Sequence, residues 1–145
     1  MKKVIFKMTA VCASALILAS CGGSKNMLTL SSLNGEWNIT EVDGQKITDK
    51  KMPFIGFDVA QKRIYGNSGC NRMMGSFDVN AKPGTIDLGA LASTRMACPD
   101  MSGERELLQA LDKVVRFDAV GEVKPVNKIA LYGTDNTKLM VIEKK

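Results

Sequence analysis

The residues of this chain best suited to chemistry are two cysteines, Cys70 in "NSGCNRMMG" and Cys98 in "LASTRMACPD". A pair of thiols supports three kinds of chemistry: metal ligation, nucleophilic or redox turnover, and a disulfide. Zinc asks for three or four ligands from cysteine, histidine and carboxylate, often as closely spaced pairs. Here the cysteines stand 28 positions apart, the chain holds no histidine, and no C-x-x-C occurs, so no metal site is assigned. A nucleophilic thiol needs its pKa lowered by a neighbouring base or a helix N-terminus. Arg72 supplies charge but cannot accept a proton. Without histidine, Cys-His and Ser-His-Asp arrangements are excluded. Cys98 stands a few residues before a predicted helix, and that dipole keeps a redox role open.

A disulfide accounts for more. Bonding Cys70 to Cys98 closes a loop of about 29 residues, which the chain-entropy model values at about 3–4 kcal/mol. The alternative of two separate buried thiols, packed as small apolar groups, stays open. Carboxylates offer less. Asp58, Asp78, Asp87 and Asp118 each adjoin apolar strand residues and so alternate onto the opposite, solvated face. No pair is marked as acid and base, which gives a glycosidase no footing. No catalytic residue and no cofactor is assigned.

The elements that must position these cysteines are mostly strands. "EWNIT" turns Trp37 and Ile39 to one face, and Asp43-Gly44 follows as a turn. "FIGFDV" repeats the pattern with Ile55, Phe57 and Val59, "RIYG" is a short edge-like piece, and "GSFDV" carries Gly75, Phe77 and Val79. After Pro83-Gly84, "TIDLG" adds Ile86 and Leu88, and "RFDAV", "KIALYG" and "KLMVIEK" give three more strands. "GTDNT" makes the last hairpin turn. One segment breaks the period. In "MSGERELLQALDKVV" the residues Leu107, Leu108, Ala110, Leu111, Val114 and Val115 recur at helical spacing. Ser102 or Asp100 can cap that helix, and Glu104 and Glu106 suit its N-terminal dipole. The expected fold is mostly β (α+β): a small curved antiparallel sheet or β-barrel-like domain of about eight strands with one α-helix.

The compartment is set at the start of the chain. A basic head, "MKKVIFK", precedes "MTAVCASALILAS", a run shorter than the ~20 apolar residues of a membrane-spanning helix. This is the pattern of a secretory leader. Leu18-Ala19-Ser20-Cys21 resembles the lipobox of bacterial lipoproteins, which implies cleavage before Cys21 and its lipidation. Two or more acyl chains anchor a protein durably where one does not. Ala13-Ser14-Ala15 is a competing cleavage site, but it would cut the apolar run in half. Lys2, Lys3 and Lys7 leave with the leader, so 17 basic residues face 15 acidic ones and the charge falls from +5 to about +2. The basic residues are scattered, and nucleic acid is not expected as a partner. Residues 1–20 are thus expected as leader, 21–32 as a small polar tether, and 33–145 as one domain. Cys70 and Cys98 remain as an even pair in an oxidising compartment.

A second resemblance is carried by order. "LNGEW" (33–37), "NSGCNRMMGSF" (67–77), "LASTRMACPD" (91–100) and a helix near "ERELLQAL" together resemble the META domain, or HslJ-like, family from Leu33 to about Ile142. The resemblance implies a small β-rich domain with one helix, secreted or envelope-associated, whose relatives are linked to heat shock, antibiotic tolerance or virulence. It brings no catalytic residues. Within the shared stretches, Gly69 and Gly75 permit tight backbone geometry. Asn71 can bond its own backbone in a turn. Asn71, Arg72 and Arg95 form a candidate interaction surface, against the alternative of a satisfied turn with solvated arginines. Met73, Met74, Met96 and Met101 are either core filling or an adaptable apolar patch.

The expected function is a non-enzymatic envelope lipoprotein held at the membrane by its lipid and serving binding, assembly or stress tolerance, with an envelope protein as partner. One alternative is a barrel carrying a small apolar ligand or lipid; another is a thiol-redox protein. Gly22 offers no acidic retention signal of the enterobacterial kind, so the outer membrane is the expected location.

Overall fold

The computed structural model describes residues 28–48, 52–78, 82–99, 102–121 and 125–145. The leader, Cys21, Val79, the Asp100 cap and Met101 lie outside the described residues. The chain enters through a 3-10 turn, Leu30–Leu33, and forms β1 (Gly35–Val42), β2 (Gln45–Lys46), β3 (Phe54–Asp58), β4 (Arg63–Asn67) and β5 (Arg72–Asp78). There follow β6 (Asp87–Leu88), β7 (Ala92–Ser93), α1 (Ser102–Leu111), β8 (Arg116–Ala119), β9 (Lys128–Tyr132) and β10 (Lys138–Lys144).

Alternation builds the core. Trp37 and Ile39 on β1, Ile55 and Phe57 on β3, and Phe117 on β8 all turn inward and are buried. The strands pair antiparallel in the order β6-β5-β4-β3-β1-β10-β9-β8, with β2 added to β1 and β7 to β5. Strand twist curls this sheet into a half-barrel. Its two edges are linked by the segment between Gly84 and Leu88. β6 pairs with β5, while Thr85 bridges Arg116, and the Phe117 N–H donates to the Gly84 carbonyl at 2.9 Å.

The interior is filled with side chains. Phe57 and Phe77 meet edge to face at 6.0 Å, a favoured aromatic geometry. Trp37 donates its indole N–H to the Leu33 carbonyl at 2.6 Å, so burying this large ring leaves no polar atom unsatisfied. Leu28 and Leu33 are buried in the same core. Leu28 thus packs with the domain from within the stretch 21–32 expected as tether.

The eight expected strands are the eight of the main path. β2 and β7 are additional, each two residues long. The helix ends earlier than its apolar spacing predicts. After Leu111 the Lys113 and Val114 N–H groups bond three residues back, and the Val115 N–H donates to Tyr132 at 2.9 Å in the sheet. Val114 is buried, whereas Val115 is exposed.

The last hairpin contains a titrating carboxylate with a defined role. Asp135 accepts from the Thr137 N–H at 3.0 Å and from its hydroxyl at 2.7 Å. These two bonds hold its pKa below the usual 3.8. A lowered folded pKa stabilises the turn above that value and withdraws support as pH falls through it. In an NMR titration Asp135 is expected to protonate below 3.8, and Thr137→Val is expected to return it toward the ordinary aspartate range. An unmoved midpoint in the variant would show that Thr137 is not the cause.

Candidate functional site

The hairpin turn from β4 to β5, residues 68–71, is held by several hydrogen bonds. Gly69 adopts φ +119°, which L side chains rarely enter. With that freedom the chain reverses tightly: the Ser68 N–H and hydroxyl both reach the Asn71 carbonyl, at 2.9 and 3.0 Å. Gly69 also donates to the Asn67 side chain at 2.8 Å. Gly75 serves a close approach, since a Cβ there would meet the Leu91 side chain at 2.6 Å.

Asn71 does not present a surface. It is 1 % exposed, and both ends of its amide are engaged inside the protein. Its Oδ1 accepts from the Thr94 hydroxyl at 2.8 Å and the Met96 N–H at 2.7 Å, and its Nδ2 donates to Glu104 at 2.9 Å. Glu104, in the first turn of α1, is 8 % exposed. Its second oxygen accepts from the Ser68 hydroxyl at 2.6 Å. Ser68 has one proton and two acceptors, so it is shared between Glu104 and the Asn71 carbonyl. Three segments distant in sequence are thereby sewn together: the β4–β5 turn, the stretch after β7, and the start of α1. A buried polar network of this kind stabilises only when its members are satisfied, and here the amide and both carboxylate oxygens are.

The cysteines lie beside this network. Cys70 belongs to the turn and Cys98 to the stretch before α1, with Cα atoms 6.4 Å apart, a disulfide-capable pair. That Cα separation falls in the range disulfides occupy. Arg72 and Arg95 are exposed. Of the methionines, Met73 is buried in the core, while Met74 and Met96 are each 53 % exposed.

Network and cysteines form one wall of an open cleft of about 1090 Å³. The opposite wall is the β1–β2 hairpin, with Val42, Lys46 and Ile47; Pro53 and Leu107 add apolar surface. Sequence reasoning misses Glu104 as a site residue. It reads only as a helix-dipole acid, because its partners Ser68 and Asn71 lie 36 and 33 residues away.

With this geometry in hand, the comparison with known families is decisive. The model of the META domain matches residues 28–145. The chain belongs to the META domain family. The match begins at Leu28, the first described residue and a buried one. Among curated proteins none matches the chain. Solved structures share its fold. An NMR structure of a protein from Burkholderia xenovorans is 22% identical, with a TM-score of 0.60, covering 79% of this chain and 85% of that one. A second NMR structure is 23% identical, with a TM-score of 0.56, covering 77% and 89%. A crystal structure of a DUF4847 family protein from Bacteroides vulgatus is 14% identical, with a TM-score of 0.53, covering 78% and 94%. At these identities the likeness of this META domain to them is one of fold.

Proposed function

We propose that this META domain is a lipid-anchored binding module of the bacterial cell envelope, held by Cys21 most naturally in the outer membrane, and that it works without catalysis. One observation carries the reading: the N-terminal 3-10 turn and the cleft lie at opposite ends of β1. The turn Leu30–Leu33 leads into β1 at Gly35, and the cleft begins at Val42. Seven residue steps of extended chain separate the two by about 23 Å. A protein anchored at its entry end holds such a recess away from the lipid and open to a partner.

The second support is rigidity. Preformed recesses with few convergent polar groups are the usual form of binding sites, and this one is braced by the Asn71 network and the Cys70–Cys98 pair. Carriage inside the sheet is not part of the proposal, because Trp37, Phe57 and Phe117 occupy that space. A ligand has the cleft to bind in.

The anchor is tested by expressing the full chain in a bacterial host fed labelled palmitate. The wild type is expected to carry label and sediment with membranes. Cys21→Ser is expected to lose both. Label that persists in the variant would remove the anchor from the proposal.

A further inference from the structure

The sheet is incomplete where β1 outruns its neighbour. β3 begins at Phe54, opposite Asn38, and the Ile39 N–H donates to the Pro53 carbonyl at 2.8 Å, so Thr40 to Val42 extend past that strand. Beyond that bond, among the described residues, β1 is continued on that side by β2, through the pairs Glu41–Lys46 and Val42–Gln45. Among the described residues β2 pairs with no other strand. Gln45 and Lys46 of β2 line the cleft together with Ser68 to Cys70.

The orientation of the edge follows from one bond. The Ile47 N–H turns toward β1 and donates to the Thr40 carbonyl at 2.9 Å. Backbone groups of successive strand residues point to opposite sides, so those of Lys46 and Thr48 point out over the cleft. Outward N–H and C=O groups on an edge are a template for an added strand. The charge of the cleft selects among extended chains. Among the described residues, Asp43, Glu104 and Glu106 line it beside one base, Lys46, in a chain whose formal charge is +5. The lining is therefore acidic where the chain is basic. Beside these acids, Val42, Ile47, Pro53 and Leu107 give an apolar floor.

We propose that the cleft takes an extended cationic peptide segment of a partner protein, added as a strand along β2 with lysine or arginine side chains toward the exposed acids Asp43 and Glu106. Alternate apolar side chains of that segment face the floor, as strand periodicity requires. The inference rests on the binding-module reading and names its ligand class.

The test uses the purified full chain and three fluorescein-labelled octapeptides: alternating Lys-Val, alternating Glu-Val, and the Lys-Val sequence N-methylated at every second amide. Anisotropy is expected to show Lys-Val bound at least about tenfold tighter than Glu-Val. The N-methylated peptide, which lacks half of its strand donors, is expected to bind about tenfold more weakly than its parent. Glu106→Lys, at an exposed helix position, is expected to weaken Lys-Val binding about tenfold while leaving the melting curve unchanged. Lys46→Pro removes the outward N–H and is expected to weaken binding to a similar degree. Amide shift mapping locates the contact. Equal affinity for both charges, indifference to N-methylation, no binding of any peptide, or shifts away from β2 each overturn the inference. Glu-Val binding mapped to the cleft would overturn it while leaving the binding-module reading standing; the palmitate label reports on the anchor independently.

Discussion

Replacing Cys70 and Cys98 together by serine is expected to cost about 3–4 kcal/mol of folding stability. The magnitude follows from the loop. A cross-link between positions 28 apart removes that much conformational entropy from the unfolded chain in the loop-closure model. The loop contains β5, β6 and β7, so in the oxidised unfolded chain these segments stay near the turn that begins β5. Against a typical stability of about 5–15 kcal/mol the loss is large. Urea melts of wild type, of wild type with reductant, and of the double variant are the measurement. The reduced wild type and the variant are expected to share a lowered midpoint and a steeper denaturant dependence, because an uncrosslinked unfolded chain exposes more surface. The oxidised protein is expected to be two hydrogens lighter by intact mass. Coincident melts with and without reductant, at unchanged mass, would establish two free thiols.

Much of the architecture is legible in the sequence, and the exceptions have physical causes. Trp37-Ile39, Ile55-Phe57 and Ile86 announce their faces because a half-buried strand needs a period of two, and each of these side chains is buried. β2 and β7 escape because two residues display no period; they exist through the partners Glu41–Val42 and Met73–Met74. Val114 and Val115 continue the helical spacing of α1, yet the sheet claims the Val115 N–H through Tyr132, and a tertiary bond outranks a local pattern. Met74 and Met73 are adjacent and chemically identical, but pleating sends one to solvent and the other to the core. The site is the least legible part. Elimination singles out Cys70 and Cys98, and the fold brings their Cα atoms to 6.4 Å. Asn71 reads as a turn residue on a surface because its three partners, Thr94, Met96 and Glu104, lie 23 to 33 residues downstream. No local spacing encodes them; the meeting of the β4–β5 turn with the stretch after β7 and the start of α1 does.

Asn71→Asp tests that network with the smallest change of shape and a large change of charge. The substitution places an oxygen where Nδ2 now sits, 2.9 Å from a Glu104 oxygen. Two buried carboxylates at that distance cannot both ionise, so the folded variant holds one shared proton well above the ordinary carboxylate range. The unfolded chain releases that proton near the usual pKa of about 4. The pair's folded pKa is raised, so the sign is fixed: its stability is fully present below the unfolded pKa and is lost as pH rises toward the folded one. The variant is expected to match wild type near pH 4, where the proton restores a donor between the two side chains. Above that it is expected to lose about 1.4 kcal/mol per pH unit until the pair ionises or the domain unfolds. Urea melts at intervals from pH 4 to pH 8 measure the slope. Glu104→Gln supplies the contrast, because its amide can accept from Asn71 and donate to Ser68, whose own proton then goes to the Asn71 carbonyl 3.0 Å away. That variant is expected to stay within about 1 kcal/mol of wild type at every pH. A flat pH profile for Asn71→Asp would mean that water reaches Glu104 freely and that the network does not brace the cleft. A steep profile together with a silent Glu104→Gln would identify geometry, rather than the charge of Glu104, as what holds the turn, the post-β7 stretch and α1 in place.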